Sequence, residues 1–427
     1  MRRLLLIIIF LILLSCRGDT ELDQSYYSIE VKINPSAQYI SSSVNLHYLH
    51  PHDPVDSISF LLHENLIVES VKCEGLKSFV FDTVGSSPIR FIPEAGVLKI
   101  KLRELIQRNQ LFELQIKYAG NINIVSAWET NRITEDWVEL SNYTPWFPYN
   151  KDLEKISYKI KLVINPDYDV VGNGVVKKAD DHWLIENKSG CDDIIIAASK
   201  RLIFEEINKE NYYLKLFSAV EISKEVIDSI LEASSRIFEN YNEWFGPSDS
   251  PEATVLITPR ERGGGYARKG LIVLSKITDQ DYFDNKYGYI RYFSHEFAHF
   301  WWSNALSDSW EDWLNESFAE YSAMLLLRDI AGKNEFNKRI KKKSENFSSL
   351  PPIRELDRND ERAYEVLYNK GCYILYNLEK DLGNVNFMNL MRLVYSKKVS
   401  ITDEFIKLIS DKYGEELAQK YNSMLDT

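Results

Sequence analysis

Residues 295–299 read His295-Glu296-Phe297-Ala298-His299, and residues 314–321 read Leu314-Asn315-Glu316-Ser317-Phe318-Ala319-Glu320-Tyr321. The first block lies in a helix-compatible stretch, Tyr289 to Trp302. Positions i and i+4 of a helix share a face, so His295 and His299 bring two imidazoles to one ion. Neutral imidazole suits Zn²⁺, and a catalytic zinc site needs a third protein ligand and one open position. Glu316, on the next helix, is the candidate third ligand. Glu296 points beside the histidine pair, where it can act as a base on metal-bound water. Glu320 follows Glu316 by one turn and is either an orienting partner for a histidine ligand or a surface charge.

Working outward, nearly everything after Asp279 reads as helix. Glu221 to Phe245 carries Val226, Ile227, Ile230, Leu231, Ile237, Phe238 and Tyr241 at a helical period, and Gly246-Pro247 stops it. Ala253 to Ile257 and Gly270 to Leu274 read as strands around the turn Gly263-Gly264-Gly265. Upstream, from Tyr26 to about Leu202, short alternating runs recur at Ser28–Ile33, Leu98–Leu102, Phe112–Tyr118 and Tyr158–Ile164, with turns at Asn34-Pro35 and Asn165-Pro166 between them. The expected fold class is α+β: an antiparallel β-domain of saddle or sandwich type over 26–204, then a mainly helical domain over 205–427. The basic run Lys338 to Lys343 reads as a solvated helix face.

The chain has 427 residues, 44% hydrophobic and 27% charged, which suits two domains with their own cores. Its net charge of −12 repels phosphate backbones and argues against a nucleic-acid partner. Arg2 and Arg3 precede an apolar run, Leu4 to Leu14, which falls short of the roughly 20 residues that span a bilayer but suits a signal peptide. Leu13-Leu14-Ser15-Cys16 resembles a bacterial lipobox. That resemblance implies a signal peptide over 1–15, a lipid on Cys16, a tether over 16–25, and a membrane-anchored protein on the periplasmic or cell-surface side. Nothing around Arg17, Asp19, Glu21 or Asp23 looks like an inner-membrane retention signal, which points to the outer membrane. Cys73, Cys191 and Cys372 are odd in number and irregular in spacing, so they give no framework; a Cys73–Cys191 bond or buried free thiols both fit.

HExxH followed by Asn-Glu on the next helix resembles the gluzincins, and within them the aminopeptidase N family. Leu314 to Ala319 match that family's Leu-Asn-Glu-Gly-Phe-Ala block except for Ser317. Tyr368-Asn369-Lys370-Gly371 looks like its Tyr-x-Lys-Gly, and Pro145-Trp146-Phe147-Pro148 resembles a segment near the end of its β-domain. The blocks occur in the family's order and cover roughly residues 20–390. The resemblance implies a thermolysin-like catalytic domain with one zinc held by His295, His299 and Glu316. It implies that Glu296 is the general base and then acid, that Tyr368 donates to the oxyanion, and that the substrate is a peptide.

Three departures matter. Phe300 to Asn315 is two residues shorter than the family's usual spacing, which a loop can absorb. The family's edge strand carries a Glu for the substrate's α-amine; the matching segment here is Gly264-Gly265-Tyr266-Ala267-Arg268, with Ala267 in place of the Glu and a cation beside it. The chain ends at Thr427, before the family's C-terminal helical domain. Glu139 aligns loosely with a second amine-facing position and is a candidate anchor. Gly264, Gly265, Tyr266, Ala267 and Arg268 are candidates for lining an extended substrate. The expected activity is zinc-dependent peptide hydrolysis, aminopeptidase action leading. The alternatives are an endopeptidase or carboxylate-reading peptidase, and a catalytically silent, membrane-anchored peptide-binding protein.

Overall fold

In Ser25–Asn34 the side chains of Tyr27, Ile29, Val31 and Ile33 are buried while Glu30 and Lys32 are exposed, the period-two pattern of a strand with one face on a core. The structure is a computed structural model that describes residues 24–83, 92–123, 129, 132–153, 155–345 and 347–427. The signal peptide, Cys16 and most of the tether expected from the sequence lie outside the described residues. Ser25, the last residue of that tether, already belongs to the strand Ser25–Asn34.

That strand is the middle of a seven-stranded sheet. On one side lie Ile156–Val163, Trp183–Cys191 and Val175–Lys178; on the other lie Tyr39–Leu49, Leu111–Asn121 and Leu66–Cys73. The pairing of Ser25–Asn34 with Ile156–Val163 is parallel, so the domain departs from the expected all-antiparallel arrangement there. A parallel pair needs a long crossover, and the residues between the two strands supply it. Sheets of three and four strands complete the domain. Trp146 and Phe147 of the Pro145–Pro148 block are fully buried in its core. Cys73, Cys191 and Cys372 are all free thiols.

His63 ends the strand Val55–His63 and is fully buried. Its Nδ1 accepts from the Asn65 N–H at 3.2 Å, while Nε2 has no partner. Burial pushes the imidazole down to about 4. The unfolded chain takes up this proton near pH 6.5 and the folded one only near 4, so folding is progressively opposed as pH falls between those values. The His63 contribution is complete above pH 6.5, and about 3 kcal/mol is lost by pH 4. Urea midpoints measured across that range should therefore slope less steeply in His63→Leu; parallel profiles would contradict this assignment.

The second domain opens with the hairpin Ile203–Asn208 and Tyr213–Ser218. This places Ile203 and Phe204 with the second domain, ahead of the expected boundary, because their hydrogen-bonding partner lies there. The sheet continues with Glu252–Ile257, Leu271–Leu274 and, at its edge, Tyr266–Arg268. Helix α1 (Lys224–Phe245) starts where the Ser223 side chain accepts from the Val226 N–H, and stops at Gly246, whose φ is 110°. After α2 (Asp279–Asp284) come α3 (Lys286–Ala298) and α4 (Trp313–Ser344), the latter broken at Gly332 with φ 83°. The expected helix through Trp302 ends earlier, with His299 as the C-terminal cap of α3. Trp301, Trp302 and Trp313 are buried in the helical core. Trp137, Ile195 and Ala197 of the β-domain pack on Leu256, Tyr266, Leu271 and Val273, so the edge strand is seated against the first domain. Among the described residues no helix is long and apolar enough to cross a membrane.

Candidate active site

α3 and α4 carry the three expected ligands toward one point. The Nε2 atoms of His295 and His299 lie 3.2 and 3.6 Å from Glu316 Oε2. His295 Nδ1 is 3.1 Å from the Glu320 carboxylate, and His299 Nδ1 is 3.1 Å from the Trp302 carbonyl. Both of those partners only accept, so each Nδ1 carries a proton and each Nε2 is left facing Glu316. Glu316 Oε2 is buried without a hydrogen-bond partner. One ligand atom from each of His295, His299 and Glu316 thus lies within 4.8 Å of the others. With a proton lost from His295 Nε2, two imidazoles and one carboxylate form a set that suits zinc. Among the described residues no other group of three such ligands lies as close, so His47, His50 and His52 form none.

Glu320 is 1% exposed, which removes the surface-charge reading. Arg291 Nη1 donates to both of its oxygens at 2.8 and 2.7 Å, and Lys343 Nζ lies 2.6 Å away. Burial alone would raise this carboxyl; Lys343 and Arg291 outweigh burial and hold it well below its ordinary value. Lys343 is a correction to the solvated helix face expected at 338–343: the break at Gly332 is followed by a segment whose last turn brings this lysine inward. On His295, burial disfavours charge, but Glu316 and Glu320 outweigh it and push the imidazole up to about 10.

Glu296 is buried, and burial pushes its carboxyl up to about 7, with His295 opposing and Glu316 adding. A base with a pKa near neutrality is suited to proton transfer at working pH. Tyr368 sits on a π-helical turn, Glu365–Lys370, a geometry that recurs at functional sites. Its ring stacks on His295 at 5.1 Å and on Tyr364 at 4.3 Å. Burial and the adjacent Glu316 push its phenol well above the ordinary value, so it stays a proton donor.

Ser317 stands where the family block has Gly, and the structure shows what fills the difference. Its Oγ donates to the Leu367 carbonyl at 2.6 Å, one residue before Tyr368. A Cβ built on Gly371 would lie 2.8 Å from Ser317 Cβ and closer still to its Oγ. Gly371 is therefore the space that Ser317 occupies. Gly371→Ala should lower stability by about 1–3 kcal/mol through overpacking, and Gly371→Ala with Ser317→Gly should recover most of it. Denaturant melts of the two variants check this; an equal loss in both would show that the two positions do not compete for volume. The shortened loop between the ligand helices is held by Asn315, whose side chain accepts from the Ala305 N–H at 3.1 Å and donates to the Ala305 carbonyl at 2.9 Å.

The edge strand borders this site. A Cβ on Gly265 would meet Glu296 Oε1 at 3.0 Å and Tyr292 Cζ at 2.9 Å, so the backbone passes directly over the base. Gly264 has φ +57° and open space around its Cβ position. Glu139, in contrast to an open anchor, is fully buried: Trp137 Nε1, Tyr266 Oη and Arg260 Nε donate to its carboxylate at 3.0, 3.0 and 3.1 Å. Ala267 is half-buried and brings no charge. Arg268 donates to Asp193 at 3.0 Å and to Asn142 at 3.1 Å, between the rings of Tyr143 and Tyr266. Its charge is met by a buried aspartate of the β-domain. Sequence reading missed Arg291, Lys343, Arg260 and Asp193. Arg291 alone had a local signal, one turn before His295; the other three meet their partners only through the tertiary fold.

Two imidazoles and one carboxylate beside a buried glutamate make a donor set that a catalytic zinc site would use. More particularly, residues 230–427 match the family described as "Peptidase family M1 domain". The chain is 26% identical over 259 residues to the Tricorn protease-interacting factor F2 of Thermoplasma volcanium, covering 55% of this chain and 32% of that protein. It is 22% identical over 363 residues to a "Probable aminopeptidase 1" of Saccharolobus solfataricus, covering 76% of this chain and 43% of that protein. The chain thus spans less than half the length of these curated relatives. The crystal structure of an M1 zinc metallopeptidase from Deinococcus radiodurans superposes with a TM-score of 0.71 at 14% identity, covering 94% of this chain and 93% of that one. A mutant of the Deinococcus radiodurans enzyme, bound to a Tyr-Ser-Ala substrate, superposes equally well.

Proposed function

We propose that this chain is a zinc-dependent peptidase that hydrolyses peptide bonds by an activated water, without a covalent intermediate, and that it acts as an aminopeptidase. The convergence of His295, His299 and Glu316 beside Glu296 carries the peptidase reading. The names of relatives such as the Saccharolobus solfataricus protein support the aminopeptidase reading. Bound zinc supplies Lewis acidity, which lowers the pKa of water toward about 7 and polarises a carbonyl. Glu320, locked by Arg291 and Lys343, and the Trp302 carbonyl hold the two imidazoles in the tautomer that ligation needs. Glu296 takes the proton of the attacking water and delivers it to the leaving amine nitrogen. Tyr368 donates to the carbonyl oxygen as it becomes anionic. The strand Tyr266–Arg268, unpaired on its outer side among the described strands, offers its backbone to an extended peptide.

A second specificity within the same chemistry, endopeptidase action, is favoured by Ala267 and by the engagement of Glu139 with Arg260. A mixed peptide pool digested by the fragment from Arg17, with mass-spectrometric readout and metal analysis, separates them. Stepwise N-terminal trimming with one zinc per chain is the expected result. Internal cuts would give the second specificity, and a chain without zinc would overturn the metal site. We also propose, from Leu13-Leu14-Ser15-Cys16, that Cys16 carries a lipid and holds the protein at the outer membrane; Cys16→Ser should then leave the membrane fraction, and retention there would refute the anchor.

A further inference from the structure

Arg260 lies outside every motif considered so far and is a fully buried charge. It is 0% exposed, as is its partner Glu139. Its Nε donates to Glu139 at 3.1 Å, while Nη1 donates to the carbonyls of Arg262 and Gly264 at 3.0 and 3.1 Å. Nη2 has no partner. An unpaired buried donor is costly, and a buried ion pair is weak evidence of stabilisation. This side chain is therefore poorly explained as a stability device.

Its placement suggests another use. The two carbonyls it grips belong to the glycine turn, where Gly263 and Gly264 have φ of +86° and +57°. Such a turn has many conformations open to it, and a planar guanidinium fork selects one. The next residue is Gly265, whose backbone crosses above Glu296. Glu139 fixes the other end of the fork and also accepts from Tyr266 Oη at 3.0 Å, so one carboxylate joins the turn to the edge strand. The phenol of Tyr292 is buried under the same glycine, beside Ser275.

We propose that Arg260 is a positioning residue for the peptidase reaction: anchored by Glu139, it sets the height and register of the edge strand over Glu296, and so governs binding of extended peptide backbone. The inference rests on the peptidase reading above. Its effect grows with the number of substrate residues that pair with the strand. A residue that merely stabilised the domain would instead affect all substrates alike.

The test uses the zinc-loaded chain with Glu296→Gln, so that peptides bind without turnover. Dissociation constants are measured for a tetrapeptide and for a single amino-acid amide, with and without Arg260→Lys. Lysine keeps the positive charge toward Glu139 and loses the fork. The tetrapeptide should bind about tenfold more weakly and the amide about twofold, the scale of one lost backbone interaction. The same split should appear as a rise in KM for the tetrapeptide, with kcat changed less, when Glu296 is restored. Equal weakening of both ligands, or none for the tetrapeptide, overturns the proposal. If Arg260→Lys does not fold, Arg260→Met keeps the apolar stem, removes the fork from the turn carbonyls and should give the same length dependence; its absence there is equally decisive. Failure of the unaltered chain to cleave any peptide would instead remove the peptidase reading, which makes the two failures distinguishable.

Discussion

Glu296→Gln should lower kcat about a thousandfold while leaving one zinc per chain. The amide cannot accept the proton of the attacking water, and positioned proton transfer of this kind contributes roughly 10²- to 10⁴-fold. Zinc stays because the three converging ligand atoms are Nε2 of His295, Nε2 of His299 and Oε2 of Glu316, and Glu296 supplies none of them. Glutamine preserves the volume under Gly265, so the edge strand keeps its path. Peptide hydrolysis and metal content measured on the same preparation decide the matter. Unchanged turnover would mean another base, and loss of zinc along with turnover would mean that Glu296 helps hold the metal. No turnover in the unaltered protein, with zinc present, would favour the silent peptide-binding alternative.

Glu320→Ala should damage both metal binding and the fold. The Nδ1–H of His295 loses its acceptor, and second-sphere losses of this kind typically weaken metal affinity 10- to 100-fold. Arg291 and Lys343, 27% and 11% exposed, also lose the carboxylate they share. Removing one partner of a buried pair leaves an uncompensated charge and costs about 3 kcal/mol or more. Competition with a zinc chelator and a denaturant melt of the metal-free protein read the two effects separately. Glu320→Gln should lie between, because its amide oxygen still accepts from His295 without balancing the cations. A melt of Glu320→Ala that matches the unaltered protein would show that Arg291 and Lys343 are solvated and that the network has no structural weight.

The chemistry at the centre was legible because it is local. Helical periodicity alone puts His295, Glu296 and His299 on adjoining faces, and one further spacing puts Glu316 and Glu320 a turn apart on the next helix. Alternation likewise gave the strands around Tyr27–Ile33 and Leu98–Leu102, since each strand records its own buried face. What periodicity cannot record is which distant group meets which. Lys343 reads as one lysine of a basic run, and only the break at Gly332 lets the end of α4 turn back so that this lysine meets Glu320. Glu139 reads as an open anchor, and only the seating of the edge strand on the β-domain closes Arg260, Trp137 and Tyr266 around it. Arg268 reads as a charge for a substrate carboxylate, until Asp193 meets it from the other domain. The sequence by itself determined that His295, Glu296 and His299 share one helix, that Glu316 and Glu320 share another, and that strands precede helices, because hydrogen bonding along helices and strands fixes near neighbours. The tertiary structure alone decided how the charges around the cleft are paired, because buried charges are settled by partners far apart in the chain.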